Sequence, residues 1–279
     1  MSRSRNVINN PNPAVKPRIA ASSYLNTAPL IWSFTYGSRN NQVELVEALP
    51  ARCAELLREE EVGAALVPAI EYQRIANIAV VPNLCVGSRK EVRSVVLVTR
   101  KPDLEAVRTV ALDQSSRTSA ALVKIIFREF LGFEPQWTTL APDLERMLSE
   151  NDAALIIGDP AMTFERGNLR IFDMAGLWRE HTGLGFVFAM WMVNEHASEA
   201  ARKIEFSAAC EEGLARTEEI INYYQPLLRL PHAELKTYLH ENICFHMDDE
   251  MSAGLNLYYR LAQKHGLIPT VKPLKSINS

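Results

Sequence analysis

Short apolar runs alternate along the chain with longer segments whose apolar positions recur every three to four residues. Residues 18–22 are a compact apolar run that predicts an opening strand, and residues 43–49 alternate as a half-buried strand does. Pro50 then stands where a helix can begin, and a helix predicted over 51–60 gathers Cys53, Ala54, Leu56 and Leu57 on one face. Residues 64–67 form a fully apolar run ended by Pro68, and 78–81 and 94–99 read as further strands. This strand–helix rhythm predicts a mostly parallel sheet with helices packed on its faces.

The rhythm then repeats. Residues 107–112 read as a strand, and Ser115-Ser116-Arg117-Thr118 introduces a helix carrying Val123, Ile126, Phe127, Phe130 and Leu131, with Gly132 as its C-terminal stop. A strand over 136–140, a helix over 142–149 and a strand over 153–157 follow, the last ending in Gly158-Asp159. A long strand is predicted over 186–193, and helices over 199–223, 232–239 and 248–265. In the last of these, Met251, Leu255, Tyr258 and Ala262 make a buried stripe. Two α/β units joined by two crossings describe an α/β clamshell with its ligand cleft between the lobes. The polar stretch 99–103 sets the expected boundaries: a disordered leader over 1–17, one lobe from 18–98 plus 192–279, and a second from 99–191.

Composition narrows the function. With 30 basic against 33 acidic side chains and a net charge of -3, nothing suggests nucleic acid or a membrane surface as partner. Residues 186–193, the longest apolar run, are far short of the ~20 needed to span a bilayer. The leader is rich in Asn and Pro with no apolar stretch, so no secretory signal is expected. Four scattered cysteines without a CxxC pair fit a reducing, cytoplasmic setting. No GxGxxG, P-loop or GxSxG occurs, and His240-Glu241-Asn242-Ile243-Cys244 lacks the second histidine of a zinc protease helix. No metal site is expected.

What remains is polar chemistry placed directly after apolar strands: Ser22 to Thr27, Asp113 to Ser119, and Gly158-Asp159. Ligands of open α/β sheets bind beyond the carboxyl ends of strands, and a helix start rich in hydroxyls suits an anion. Each signal has an ordinary structural reading too. Ser115 or Ser116 can cap a helix, Arg117 can pair with a carboxylate, Asn26 can serve a turn, Asp159 can cap a helix, and Tyr24 can pack in the core.

Taken with Pro29-Leu30, Gly63 to Pro68, Glu71-Tyr72, Ser94 to Leu97 and Thr182-Gly183-Leu184, these motifs carry a resemblance. In matching order over about residues 18–191, the chain resembles the chorismate dehydratase family of the futalosine route to menaquinone. The likeness is weak over the helical C-terminal third. Glu61-Val62-Gly63 departs from the family's acidic turn, and Gly185 stands where members often carry proline. The resemblance implies a periplasmic-binding-protein type II fold, and a lyase that dehydrates chorismate to 3-[(1-carboxyvinyl)oxy]benzoate. Because the product is aromatic, positioning and one proton transfer suffice, and no cofactor is expected. It further implies that Ser115, Ser116 and Thr118 hold one carboxylate. Ser23 and Thr27, with Ser94 and the chain at Ala69 and Ile70, hold the rest of the substrate. Asn26 is then the catalytic residue that orients the reacting ring. The substrate's own enolpyruvyl carboxylate takes the proton, with Asp159 the second candidate for that task. Two readings compete on the same or a related fold: a solute-binding protein, which would be exported, and the 1,4-dihydroxy-6-naphthoate synthase of the same route, which lacks the Ser-Tyr-Leu-Asn-Thr motif. A transcription-factor effector domain would need an attached DNA-binding domain.

Overall fold

A computed structural model describes residues 16–277. The chain begins with β1 (Arg18–Ala21), α1 (Ala28–Thr35), β2 (Glu44–Glu47), α2 (Pro50–Arg58), β3 (Ala64–Pro68) and β4 (Ile78–Ser88). It crosses into β5 (Val95–Thr99), β6 (Thr109–Asp113), α3 (Thr118–Ile125), β7 (Gln136–Leu140), α4 (Leu144–Glu150), β8 (Ala153–Ile157), α5 (Asp159–Thr163), β9 (Arg170–Asp173) and α6 (Met174–Thr182). It returns on β10 (Phe186–Asn194), followed by α7 (Glu199–Arg202), α8 (Phe206–Ala215), α9 (Thr217–Leu228), α10 (His232–Thr237), β11 (Cys244–His246) and α11 (Asp249–Lys264).

Two sheets result, ordered β11-β4-β10-β3-β1-β2 and β7-β6-β8-β5-β9. Both are mixed rather than mostly parallel. β1 pairs in parallel with β2 and β3, but β10 runs antiparallel between β3 and β4. In the second sheet β6 is parallel to β7 and β8, while β5 is antiparallel to β8 and β9. The strands that carry the chain between lobes enter each sheet from the opposite direction and so reverse the local pairing. The expected lobe boundaries at 98/99 and 191/192 each fall inside a strand. β5 belongs wholly to the second sheet and β10 to the first, so the crossings lie at residues 89–94 and 183–185. The expected leader lies almost wholly outside the described residues.

Local sequence explains most elements. Asp143 caps α4 by accepting from Arg146 N, and Asp173 caps α6 by accepting from Ala175 N and Gly176 N. α3 continues as a π-helical turn over Ile126–Leu131 and stops at Gly132, whose φ of 77° is the left-handed conformation glycine adopts freely. That widening leaves Phe130 and Leu131 only partly buried, beside a fully buried Phe127. The single helix expected over 199–223 is broken into α7, α8 and the start of α9. The stripe Met251, Leu255, Tyr258 and Ala262 is buried on α11, where Met251 and Leu255 each contribute about 1.5–3 kcal/mol by leaving water. α11 also ties the lobes together, because the Tyr258 hydroxyl donates to the Thr118 carbonyl and the Tyr259 hydroxyl to the Ala69 carbonyl. His240 sits in a π-helical turn and Cys244 on β11, so the near-match to a zinc helix is not one helix face.

Candidate active site

The cleft between the sheets holds about 530 Å³ of space not filled by atoms, its open mouth included. One wall comes from the turn after β1, with Ser22, Tyr24, Asn26 and Thr27. The opposite wall comes from Ser116 to Ser119 and from Ile157-Gly158, and Leu66, Val86, Val95 and Phe188 make the apolar floor.

The turn after β1 is pinned from within. The Ser22 and Thr27 hydroxyls are 2.9 Å apart, and Thr27 Oγ1 donates to Asn26 Oδ1 at 3.1 Å. Thr27 N donates to the Tyr24 carbonyl, and Pro29 in the first turn of α1 starts the helix without needing an N–H. The Asn26 side chain also interacts with the hydroxyl of Tyr238, which donates to Ser94 Oγ at 2.7 Å. Asn26, Tyr238 and Ser94 thus form one polar chain that runs from the cavity wall to the buried Tyr238 and Ser94. Burial pushes the Tyr238 hydroxyl well above its ordinary pKa.

On the facing wall, no side chain caps the N-terminus of α3. Its first turn lines the cavity through Ser116, Thr118 and Ser119, so a helix start with free N–H groups and a positive dipole end lies beside three hydroxyls. Arg117 is the charged side chain among the described lining residues. It reaches back to Glu55 Oε1 on α2 at 2.8 Å, and its buried Nε has no hydrogen-bond partner. Tyr24 crosses the cleft to lie on Gly158. Burial and the nearby carboxylates of Asp113 and Asp159 push its hydroxyl up to about 12. Asp113 is 1% exposed; its Oδ1 accepts from Ser115 N and Oγ while its Oδ2 is unpartnered, and burial raises its pKa.

Asn26, Thr27, Ser116 and Thr118 line the cavity, and Ser23, Ala69, Ile70, Ser94, Ser115 and Asp159 stand behind or beside it. Ser23 is exposed and gives its carbonyl to the Tyr224 hydroxyl. Ile70 N donates to Thr118 Oγ1, so it fixes a wall hydroxyl. Ser115 spends its hydroxyl on Asp113, and neither it nor Ser116 caps α3. Asp159 does not cap α5, whose N-cap is Gly158; its Oδ1 accepts from Leu25 N at 2.9 Å, across the cleft. Burial raises the Asp159 carboxyl from 3.8 to about 6, so the folded state loses stability as pH rises through that window and no more above it. Sequence reading missed Tyr238 and Phe188. Tyr238 gave no signal, since its partner Ser94 lies 144 residues away.

Among the described residues no helix is long and apolar enough to cross a membrane, and no three His, Cys, Asp or Glu side chains gather as metal ligands would. The two-sheet architecture is that of periplasmic binding proteins. The aliphatic sulphonate binding protein of Escherichia coli superposes with a TM-score of 0.59 at 16% identity, over 95% of this chain and 94% of that one. A crystal structure from Archaeoglobus fulgidus gives 0.76 at 19% identity, over 92% of this chain and 100% of that one. A family model for menaquinone biosynthesis matches residues 17–264, and the chain belongs to that family. A chorismate dehydratase from Thermus thermophilus is 29% identical over 254 residues, 84% of this chain and 91% of the relative.

Proposed function

We propose that this protein is a chorismate dehydratase, a hydro-lyase working in the cytoplasm in menaquinone biosynthesis. It releases water from chorismate to give 3-[(1-carboxyvinyl)oxy]benzoate. The reading is supported most by the facing of two walls: Asn26 on one lobe, and an uncapped helix N-terminus with three hydroxyls on the other. Such a wall suits a carboxylate without a metal or an arginine fork. The ring C–H on the ether-bearing carbon gives up its proton, its electron pair becomes a ring π bond, and the neighbouring C–O bond breaks to release hydroxide, which leaves protonated as water.

The described lining residues include no carboxylate and no imidazole, and Tyr24 at about 12 is protonated at neutral pH. In this reading a carboxylate of the substrate itself takes the proton, with Asn26 orienting the ring and its hydroxyl. Ser94 and Tyr238 support Asn26 from behind. Incubating the purified protein with chorismate and following aromatic absorbance and product mass tests the reading. Unchanged chorismate that binds tightly would favour a solute-binding protein instead. Arg117 supplies positive charge to the wall, so Arg117→Ala is expected to raise KM for chorismate by about 10-fold or more, the value of one charge-assisted contact. The change in kcat is expected to be smaller, and steady-state kinetics checks both.

A further inference from the structure

We infer that Asp159 is a positioning residue, which holds the Asn26 turn of the first lobe against the second and takes no proton from substrate; this rests on the reading of Asn26 above. Leu25 is fully buried, and its amide takes no part in the bonds that close the turn, where Thr27 N goes to the Tyr24 carbonyl and Ala28 N to the Leu25 carbonyl. Leu25 N donates instead to Asp159 Oδ1 at 2.9 Å, a residue 134 positions away on the other lobe. Without that carboxylate a buried N–H would have no acceptor, a situation folded proteins avoid.

Two further features place the carboxylate. Gly158 takes φ 69° and ψ -151°, backbone open essentially to glycine alone, and this turn aims Asp159 at the first lobe. The same glycine leaves room for the Tyr24 ring, the residue before Leu25. Gly158-Asp159 therefore grips two consecutive residues of the turn, and the next residue is Asn26. Asp159 itself stands outside the cavity wall, with its bonded oxygen already committed.

Aspartate-to-asparagine and aspartate-to-alanine variants separate a clasp from a base. Asp159→Asn keeps an acceptor for Leu25 N, so kcat is expected to fall by no more than about fivefold. Asp159→Ala removes it, and kcat is expected to fall about 100-fold, the cost of misplacing a reacting group by about 1 Å. Amide hydrogen exchange gives a readout that does not depend on turnover. Exchange of the peptide holding Leu25 to Thr27 is expected to quicken about 10-fold or more in Asp159→Ala, to stay slow in Asp159→Asn, and to leave β5 and β8 protected in both. An Asp159→Asn enzyme as inactive as Asp159→Ala, or equal Leu25 protection in all three proteins, would overturn the inference. If wild-type protein leaves chorismate unchanged, the dehydratase reading fails, and the exchange pattern still decides the clasp.

Discussion

Asn26→Ala is expected to lower turnover of chorismate by about 100-fold or more, with KM changed far less. Asn26 lines the cavity, its Oδ1 accepts from Thr27, and its side chain interacts with the Tyr238 hydroxyl, which in turn holds Ser94. The alanine variant removes the only amide side chain among the described lining residues, yet leaves the hydroxyl pair of Ser22 and Thr27 and the backbone bonds of the turn intact. Folding is therefore expected to survive, with a loss of about 1 kcal/mol or less, because Asn26 is partly exposed and its partners keep other contacts. Kinetics beside a thermal melt separates the two effects. An alanine variant with wild-type kcat would remove Asn26 from the mechanism.

Gly158→Ala is the second change with a large effect. A Cβ there would stand 2.6 to 2.8 Å from three atoms of the Tyr24 ring, in a backbone conformation with φ 69° that strains any L side chain. The strain alone is worth about 1–3 kcal/mol. The Tyr24 ring must move aside, and because Tyr24 belongs to the turn that carries Asn26, the lobes are expected to separate at this point. The outcome expected is a fall of about 100-fold in kcat/KM, carried partly by a raised KM. Small-angle scattering of the unliganded variant is expected to report a larger radius of gyration. A kcat/KM within twofold of wild type would show that the Tyr24–Gly158 contact is incidental.

The difference between what was legible in the sequence and what was not has a physical basis. Apolar runs such as 64–67 and 153–157 announce strands, and the polar residues directly after strands announce the cleft, because strand ends are where an open sheet exposes its loops. Asn26, Thr27, Ser116 and Thr118 reached the cavity wall for that reason. Which sheet a strand joins is not written in its own period. Residues 95–99 and 186–194 are apolar on both faces and fit either lobe, so the crossings were misplaced by a few residues. α1 was invisible because Ala28 to Phe34 are all buried and show no polar face. Asp159 and Tyr238 draw their meaning from partners 134 and 144 residues away, which no local pattern encodes. The carboxylate that looked like a helix cap or a base is bonded to the opposite lobe instead.

In the proposed reaction this cleft removes a ring proton and a hydroxyl from chorismate. Chorismate carrying deuterium on its ether-bearing carbon tests it most directly, with wild-type protein in excess and the product read by mass spectrometry. The expected product is 3-[(1-carboxyvinyl)oxy]benzoate free of deuterium, formed by wild type and nearly abolished in Asn26→Ala. Labelled chorismate recovered intact, or an aromatic product that keeps the deuterium, would rule this reaction out.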